Sequence, residues 1–232
     1  MRDTRGQPLP EGDEKRRAVR SLFDTISARY DLVNRVMTFG MDVGWRRRSV
    51  RALHLPGASL VLDLACGTGD LCNELQRSGY RAIGFDFSHG MLTAAGTNVP
   101  LVEADVLQLP VRDGVADGVT CGFALRNVVD LQTFFVEIAR VVRPGARIAL
   151  LDASEPDNRV MRAGHGVYFR HVVPRIGGLL SNAGAYAYLP RSMAYLPPSA
   201  EIVAMLRAAG FPDAQRITLS GGITQLLTGT RA

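Results

Sequence analysis

The sequence predicts a doubly wound α/β domain built on a mostly parallel sheet. Short apolar runs alternate with helical segments from residue 58 onward, a turn with two glycines follows the first run, and an acidic residue lies at or just after the end of each of the first three runs. Repeated strand and helix units imply parallel strands with helices on both faces of the sheet. A chain of 232 residues suits one such domain, since α/β domains often exceed the usual length.

The composition indicates a globular protein that stays in the cytoplasm. Hydrophobic residues make up 47% of the chain and charged residues 21%, which are ordinary values for a domain with a sizeable core. We find no apolar run long enough to span a bilayer and no signal peptide at the N-terminus. The three cysteines are an odd number without metal-ligand spacing, so we expect neither disulfides nor a metal site.

The excess of basic residues is concentrated in two clusters within the first 51 residues. The net charge is +5 and the pI is about 9.5. Clustered basic residues are the footprint of phosphate binding, but the centre of the chain is nearly balanced. Our first interpretation is therefore a solvated helix face, the second an anionic membrane surface or acidic partner, and the third nucleic acid. The two clusters are Arg16, Arg17 and Arg20, followed by Arg46, Arg47, Arg48 and Arg51.

The first 55 residues predict a tail and a helical cap. Residues 1–13 contain prolines and glycines without apolar periodicity, which is typical of a mobile tail, here the beginning of the basic N-terminus. In residues 14–55 apolar side chains recur at spacings of three and four, which predicts helices. The recurring residues are Val19, Leu22, Phe23, Ile26, Tyr30, Val33, Val36 and Met37.

Residues 58–152 predict the parallel part of the sheet. Continuous apolar runs with turn residues between them are typical of buried parallel strands. The helix after the fourth strand is expected to stop at Pro144-Gly145, since proline cannot continue a helix. Strands are predicted at 58–64, 80–85, 99–104, 118–123 and 146–152, and helices at 70–78, from 88, and at 131–142.

The rest of the chain predicts an insertion and the sheet edge. Residues 153–198 break the alternation and are rich in aromatic residues, so we expect a substrate-covering insertion. A helix at 199–209 precedes strands at 214–219 and 223–230, whose short separation favours an antiparallel hairpin. Seven strands with an antiparallel last strand form the sheet of Rossmann-like class I methyltransferases. Residues 14–232 are thus predicted to be a single domain of that class.

The stretch VLDLACGTGD predicts the cofactor. Asp63 ends the first strand, and Gly67 and Gly69 lie in the turn before the next helix, where backbone can approach a ligand closely. A dinucleotide fingerprint has three glycines, but Ala65 stands at the first of those positions. The stretch instead resembles the S-adenosylmethionine loop of methyltransferases, which implies that Asp63 reaches the amino group of the cofactor and that the turn packs against its sulfonium.

Two further carboxylates follow the next strands. Asp86 lies 23 residues after Asp63, near the spacing expected for the acid that binds ribose hydroxyls. Asp105 follows the third strand and can accept a hydrogen bond from the adenine amino group. Because the carboxyl ends of successive parallel strands share one edge of the sheet, the three acids predict a single crevice.

The sequence at the end of the fourth strand argues against methylation of amino groups in nucleic acids. It ends in CGFALRN, residues 121–127. Enzymes that methylate exocyclic amino groups usually have an Asn/Asp-Pro-Pro-aromatic motif at this point, and the chain has none there. We therefore expect no nucleic-acid partner.

Several longer segments resemble the menaquinone and ubiquinone biosynthesis C-methyltransferases. The segments are FDTISARYDLVNRVMTFGMDVGWRR, VLDLACGTGD, FALRNVVD, RVVRPGARIALLDAS and HVVPRIGGLLSNAGAYAYLPRSM. They span residues 23–193, and the YD…N and RNV pieces are far more specific than a glycine turn. The resemblance implies C-methylation of a reduced, prenylated naphthoquinol, demethylmenaquinol to menaquinol, with S-adenosyl-L-homocysteine as the second product.

The resemblance also implies roles for individual residues. Arg126 would stabilise the phenolate, directly or through a water that takes the proton, while Asn127 and Tyr30 orient the ring. His165 and His171 are the alternatives for the general base. Asn34, Tyr168 and Tyr188 would contact the substrate. The cofactor-binding residues would be Asp63, Ala65, Gly67, Thr68, Gly69, Asp86, Phe87, Asp105, Val106 and Gly122, where Gly122 matches a position with a usual serine.

Three departures from the family pattern leave a second interpretation open. Asp42 stands where a histidine is frequent, Ala153 replaces part of a usual Glu-Phe-Ser, and the segment from Gly222 to Leu227 lacks a usual Ala-Leu-His. The alternative is a diverged C- or O-methyltransferase for another phenolic or polyketide substrate; a non-catalytic partner-binding protein is the third interpretation. Peripheral contact with the inner face of the membrane and a homodimer both stay open.

Overall fold

The computed structural model describes residues 9–156, 158–168, 175–176, 188 and 191–232. The strands are β1 (Leu60–Leu64), β2 (Arg81–Asp86), β3 (Leu101–Glu103), β4 (Ala116–Gly122), β5 (Val142–Ala153), β6 (Gln215–Leu219) and β7 (Thr224–Thr230). The helices are α1 (Gly12–Ile26), α2 (Tyr30–Met37), α3 (Met41–Arg51), α4 (Asp70–Arg77), α5 (His89–Thr93), α6 (Leu131–Val141), α7 (Arg159–Val167) and α8 (Ser199–Ala208). In the described ranges no helix has the length and apolar character needed to cross a bilayer.

The strands form one sheet in the order β3-β2-β1-β4-β5-β7-β6. Strands β1 to β5 pair in parallel, whereas β7 is antiparallel to both β5 and β6. The predicted mostly parallel sheet of seven strands with an antiparallel last strand is confirmed. The strand order reverses between β1 and β4, and ligands of such sheets bind at this switch point, beyond the carboxyl ends of the strands.

Both faces of the sheet are covered, as the continuous apolar strands require. On one face α6 and α8 bury Phe134, Phe135 and Leu206 against the sheet. On the other face α3 and α4 bury Trp45 and Leu75. The sheet is therefore rigidly held from both sides, and its strand ends form a fixed floor for a site.

The N-terminal cap is present and slightly longer than predicted. Helix α1 begins at Gly12, so the boundary predicted after residue 13 lies two residues late. Leu9 is buried and the Pro10 carbonyl accepts a hydrogen bond from Tyr195 (2.7 Å), so this end of the predicted tail is packed. Residues 1–8 lie outside the described part of the chain.

Two strand boundaries differ from the sequence prediction for backbone reasons. Ala58 has a left-handed φ of 63°, so β1 begins only at Leu60. Strand β5 begins at Val142, directly after α6, and continues through Pro144-Gly145 because the register with β4 shifts there. The Pro-Gly pair thus lies in an irregular part of a strand rather than at the end of the helix.

The predicted insertion at residues 153–198 is described only in part. Its described elements are α7 and a 3₁₀ turn at Met193–Tyr195. The aromatic residues Phe169 and Tyr186 lie outside the described residues. Its role as a cover for substrate stays a prediction.

Candidate active site

Three cavities meet at Tyr30. The strand-end cavity, about 720 Å³ including space open to solvent, lies over the carboxyl ends of β1, β2 and β4. The glycine-loop cavity surrounds the turn between β1 and α4. The helical cavity, about 960 Å³ by the same measure, lies among α2, α3, β5 and the β6–β7 turn. Tyr30 lines all three, so a molecule in the first two could present a group to a molecule in the third.

The turn after β1 takes left-handed backbone conformations that open the cavity floor. Ala65 stands at the first glycine position of a dinucleotide fingerprint and has φ 52°, which is a strained conformation for a residue with a Cβ. Gly67 has φ 56°, and a Cβ there would meet nothing within 4 Å. Gly69 starts α4 instead of facing the cavity, and a Cβ there would lie 2.7 Å from Thr97.

Asp63 lies fully buried at the end of β1. It accepts hydrogen bonds from Thr120 Oγ1 (2.7 Å) and from Cys72 Sγ (3.4 Å). Burial raises the pKa of Asp63 to about 7, although these hydrogen bonds and the positive charge of Arg46 oppose the shift. Because the pKa of Asp63 lies near 7, a cationic ligand in the glycine-loop cavity would stabilise the ionised form of this carboxyl group.

Asp86 connects the glycine turn to the strand-end cavity. Its Oδ2 accepts a hydrogen bond from the Gly67 amide (2.8 Å) and its Oδ1 from the Ser88 amide (2.9 Å). Burial raises the pKa of Asp86, and the backbone hydrogen bonds counteract that effect. Each oxygen keeps a lone pair, so the carboxylate can still accept hydrogen bonds from two neighbouring hydroxyls.

Asp105 forms the far end of the strand-end cavity. Its Oδ1 accepts a hydrogen bond from the Leu107 amide (3.0 Å), and its Oδ2 lies 3.2 Å from Arg16 of α1. The other predicted cofactor residues Phe87, Val106 and Gly122 line the same cavity. A Cβ at Gly122 would lie 2.7 Å from Leu71, so the usual serine would need that side chain to move.

Thr68 points from the glycine turn toward the cap. Its Oγ1 donates to Asp31 Oδ1 (2.6 Å), and burial raises the pKa of Asp31. Asp31 lies within the family-like segment that begins at Phe23, but it was not predicted to be a site residue. Its position shows that α2 contacts the glycine turn directly.

Arg126 has a partner that the sequence prediction lacked. The guanidinium forms a buried ion pair with Asp152, whose Oδ2 also accepts a hydrogen bond from the Arg126 amide (3.1 Å). Asp152 is fully buried at the end of β5, and Arg126 lines the helical cavity. The arginine is therefore held rigidly, and its charge is largely compensated before any ligand binds.

The other predicted active-site residues surround Arg126. Tyr30 is hydrogen-bonded to Asn34, and burial raises its pKa while the charge of Arg126 opposes the rise. Tyr188 donates a hydrogen bond to Asn127 Oδ1 (3.3 Å), and burial raises its pKa as well. The charge of Arg126 thus acts on two phenols, those of Tyr30 and Tyr188. Of the two amides, Asn34 lines the helical cavity together with Arg126, whereas Asn127 lines the strand-end cavity.

The helical cavity is mainly apolar. Tyr168, one of the predicted substrate residues, donates a hydrogen bond to the Met37 carbonyl (2.7 Å) and lies 6.0 Å from Phe39, ring centre to ring centre. The alternative bases are not placed here, because the His165 side chain and all of His171 lie outside the described residues. Further lining residues are Asn34, Met37, Met41, Trp45, Phe123, Ala153, Met193, Ile223 and Thr224.

Arg46 belongs to the site rather than to a basic surface. It is buried, forms an ion pair with Asp42, and lies 3.4 Å from Asp70. Its guanidinium carbon lies 5.5 Å from the Phe123 ring centre. Asp42, which replaces a frequent histidine, thus neutralises a cation between the glycine-loop and helical cavities. The second basic cluster of the sequence therefore contributes one of its members to the interior.

The fold and the crevice together define the class of protein: an S-adenosylmethionine-dependent methyltransferase. The model of the ubiE/COQ5 methyltransferase family matches residues 11–231, and the chain belongs to that family. The family predicted from the sequence is thereby confirmed.

Relatives and solved structures agree with this assignment. The chain is 42% identical to the demethylmenaquinone methyltransferase of Mycolicibacterium vanbaalenii over 216 residues, 92% of this chain and 95% of that one. It is 39% identical to the ubiquinone/menaquinone biosynthesis C-methyltransferase UbiE of Syntrophotalea carbinolica over 222 residues, 92% and 94% of the two chains. A methyltransferase structure from Thermotoga maritima superposes with a TM-score of 0.66 at 17% identity, covering 92% and 100%, which shows the shared fold.

Proposed function

We propose that this enzyme transfers a methyl group from S-adenosylmethionine to a ring carbon of a prenylated naphthoquinol, converting demethylmenaquinol to menaquinol. The observation that carries the proposal is the meeting of the three cavities at Tyr30, beside the Arg126 and Asn127 pair. By their names, the relatives described above are a demethylmenaquinone methyltransferase and a C-methyltransferase of ubiquinone and menaquinone biosynthesis.

The residues of the crevice fit the cofactor. Asp86 would accept hydrogen bonds from the ribose hydroxyls and Asp105 from the adenine amino group, while Asp63 would face the ammonium. The absent Cβ at Gly67 leaves room for a ligand against the turn. S-adenosylmethionine supplies an electrophilic methyl group on its sulfonium sulfur.

The substrate side of the site is built to stabilise a ring oxygen. Deprotonation of the quinol hydroxyl makes the neighbouring ring carbon nucleophilic, and the developing negative charge needs donors. Arg126, fixed by Asp152, provides N–H groups of defined direction at the helical cavity, while the neighbouring Asn127 lines the strand-end cavity. Preorganised donors of this kind lower a barrier because they need no rearrangement during the reaction. The mostly apolar walls exclude water from the ring and accommodate the prenyl chain.

The direct test is turnover of a short-chain demethylmenaquinol under reducing conditions. Mass spectrometry with tandem fragmentation should show one added methyl on a ring carbon, with an equal amount of S-adenosylhomocysteine. The Asp86→Asn variant is the control, because it should lose cofactor affinity while the helical cavity stays intact. An O-methylated product, or turnover only with smaller phenolic substrates, would instead support the alternative of a diverged methyltransferase.

We further propose that an apolar surface at the mouth of the helical cavity contacts an anionic membrane. This mouth surface consists of Leu32, Val36 and Phe39 on and after α2, and Val160 and Val167 on α7. The ring contact between Phe39 and Tyr168 joins its two halves. Phe39 is 76% exposed and Val160 81% exposed, and Phe39 also lines the helical cavity. Exposed apolar patches on a protein surface mark binding sites.

The chemistry of the substrate and of the chain favours a lipid occupant. A prenylated quinol partitions into the bilayer, so an enzyme whose substrate cavity opens beside an apolar surface can take it up there. The net charge of +5 favours anionic headgroups, and exposed Arg159 lies next to Val160. The compartment we propose is the cytoplasm at the inner face of the membrane. A homodimer formed through the same surface is the competing occupant.

A further inference from the structure

Lys15 is the one lysine among the 27 lysine and arginine residues of the chain. It belongs to α1, yet it is only 5% exposed, in contrast to its neighbours Arg16 and Arg17. Lysine is almost never buried to this degree without a specific partner. A chain that otherwise uses arginine throughout thus has its single lysine at a buried position.

The ammonium group of Lys15 is held by two other segments. Nζ donates a hydrogen bond to the Val128 carbonyl (2.7 Å) and lies 3.8 Å from the centre of the Tyr195 ring, within the range of a cation–π interaction. The Tyr195 hydroxyl in turn donates to the Pro10 carbonyl (2.7 Å). Burial lowers the pKa of Lys15 to about 8, because the surroundings favour the neutral amine.

The acceptor carbonyl belongs to the residue directly after the active-site pair. Val128 follows the 3₁₀ turn Leu125–Asn127, and its amide donates to the Ala124 carbonyl (3.2 Å). Asn127 and Val128 both line the strand-end cavity. A bond to the Val128 carbonyl therefore restrains the backbone that aims Arg126 and Asn127.

Helix α1 has other attachments that do not reach this turn. Arg16 pairs with Asp105 (3.2 Å) and Arg20 with Glu103, while Asp24 accepts hydrogen bonds from Ser88 and Gly90. These contacts hold α1 over the loops after β2 and β3. Among the residues that the structure describes, Lys15 donates the side-chain hydrogen bond that joins α1 to the segment after β4. Replacing Lys15 should therefore free that segment while α1 stays in place.

We propose that Lys15 is a positioning residue that fixes the Arg126–Asn127 turn for catalysis, and that it needs a compact ammonium for this task. An ammonium fits between a carbonyl oxygen and a ring face, whereas the planar guanidinium of arginine is larger and spreads its donors in a fork. The kinetic part of this inference rests on the proposed function, since it takes Arg126 and Asn127 as active-site groups.

The test compares Lys15→Met and Lys15→Arg with the control Arg17→Met, which removes a charge from the exposed face of α1. Lys15→Met should lower kcat about ten-fold or more, because small misplacements of reacting groups are costly, and leave S-adenosylhomocysteine affinity within a few-fold. Lys15→Arg should not restore kcat. Arg17→Met should match the wild type in both measurements.

Hydrogen exchange provides a readout that needs no substrate. In Lys15→Met the amides of Asn127 and Val128 should exchange about ten-fold faster or more, while the amides of α1 keep wild-type rates. This result together with a wild type inactive on naphthoquinols would retain the positioning role and reject the proposed function. Unchanged exchange at residues 125–129, or wild-type kcat in Lys15→Met, would overturn the inference.

A substitution of Tyr195 tests the positioning role of Lys15 without removing the lysine. If Lys15→Met does not fold, Tyr195→Leu keeps the lysine and its hydrogen bond but removes the ring face. It should give a smaller fall in kcat and a smaller rise in exchange of the same amides. Wild-type values in both measurements for Tyr195→Leu would show that the contact of Lys15 with the Tyr195 ring and the Val128 carbonyl does not act on the turn.

Discussion

At the scale of single residues, the ion pair between Arg126 and Asp152 determines how the active site can be tested. Removing the arginine alone leaves a buried carboxylate without its cation, which costs about 3–5 kcal/mol of stability. A loss of activity in Arg126→Ala could then reflect damage to the fold. The informative variant is the double one, Arg126→Ala with Asp152→Asn, which removes both charges together.

We expect the double variant to lose about 10²-fold in kcat, the typical effect of removing one preorganised donor to a developing oxyanion. S-adenosylhomocysteine affinity should change little, since neither residue lines the strand-end cavity. Arg126→Lys should recover little activity because lysine lacks the planar fork. A double variant with kcat within a few-fold of the wild type would make the arginine structural.

The buried Asp63 predicts a pH dependence of cofactor binding. Burial raises the pKa of Asp63 to about 7, so the free protein holds this carboxyl protonated at lower pH. A ligand ammonium needs the carboxylate, so binding below pH 7 must first release a proton. The association constant should therefore fall with decreasing pH, approaching tenfold per unit well below pH 7, and stay level above it.

Calorimetry of S-adenosylhomocysteine binding from about pH 5.5 to about pH 8.5, on both sides of the raised pKa of Asp63, measures this dependence. In Asp63→Asn the affinity should be weaker and this pH dependence should vanish, whereas Asp105→Asn should keep it. A wild-type affinity that does not change with pH would show that Asp63 does not meet the ammonium.

The sequence could predict the acids of the crevice but not their partners. Asp63, Asp86 and Asp105 follow successive strands, and parallel topology alone brings such positions to one edge. The contact between Arg126 and Asp152, in contrast, spans 26 residues and depends on the pairing of β4 with β5. No local pattern shows that a carboxylate at the end of one strand will meet the turn that follows the neighbouring strand.

At the scale of elements, hydrophobic periodicity predicted the helices and strands well. It failed where single backbone conformations decide a boundary, as at Ala58 with its positive φ and at the register shift beside Pro144. The attachment of α1 to three loops of the sheet depends on long-range polar contacts, which periodicity does not report. The sequence thus predicted that the cap is helical, but it did not predict the polar contacts that hold the cap over the crevice.

The polar contacts that hold α1 over the sheet predict how hydrogen exchange in this helix responds to the cofactor. Asp24, Arg20 and Arg16 bind the loops after β2 and β3, which form the walls of the strand-end cavity. A bound ligand that orders those walls should slow hydrogen exchange in α1 and α2, because opening of the cap then costs ligand contacts. Helix α6, on the far core, should exchange at the same rate with and without ligand.

Hydrogen exchange with mass spectrometry at saturating S-adenosylhomocysteine measures this response. The expected result is protection at residues 12–37 together with residues 65–70. Protection of the glycine turn without any change in α1 would mean that the cap is closed equally in both states, and would remove it as a gate for the cofactor.

At the scale of the whole molecule, the distribution of apolar and charged groups relates the active site to its surroundings. The helical cavity opens beside Phe39 and Tyr168, and the exposed Val160 and Val167 lie on the neighbouring helix. Much of the basic excess predicted from the sequence is paired, as with Arg16, yet the chain keeps a net charge of +5. Substrate uptake and membrane contact would then share one face.

Vesicle binding tests this arrangement with a matched control on another surface. The protein should co-sediment with vesicles containing phosphatidylglycerol and bind phosphatidylcholine vesicles far more weakly, with binding reduced by added salt as screening shortens the reach of the charges. The double variant Phe39→Ser with Val160→Ser should lose about ten-fold or more in affinity, because burial of two large apolar side chains contributes roughly 1.5–3 kcal/mol each. Val136→Ser, on α6 and 53% exposed, should bind as the wild type. If the wild type instead ignores anionic vesicles but sediments as a dimer that Phe39→Ser dissociates, the mouth surface joins two copies of this chain, and the quinol must reach the cavity without direct contact between this face and the bilayer.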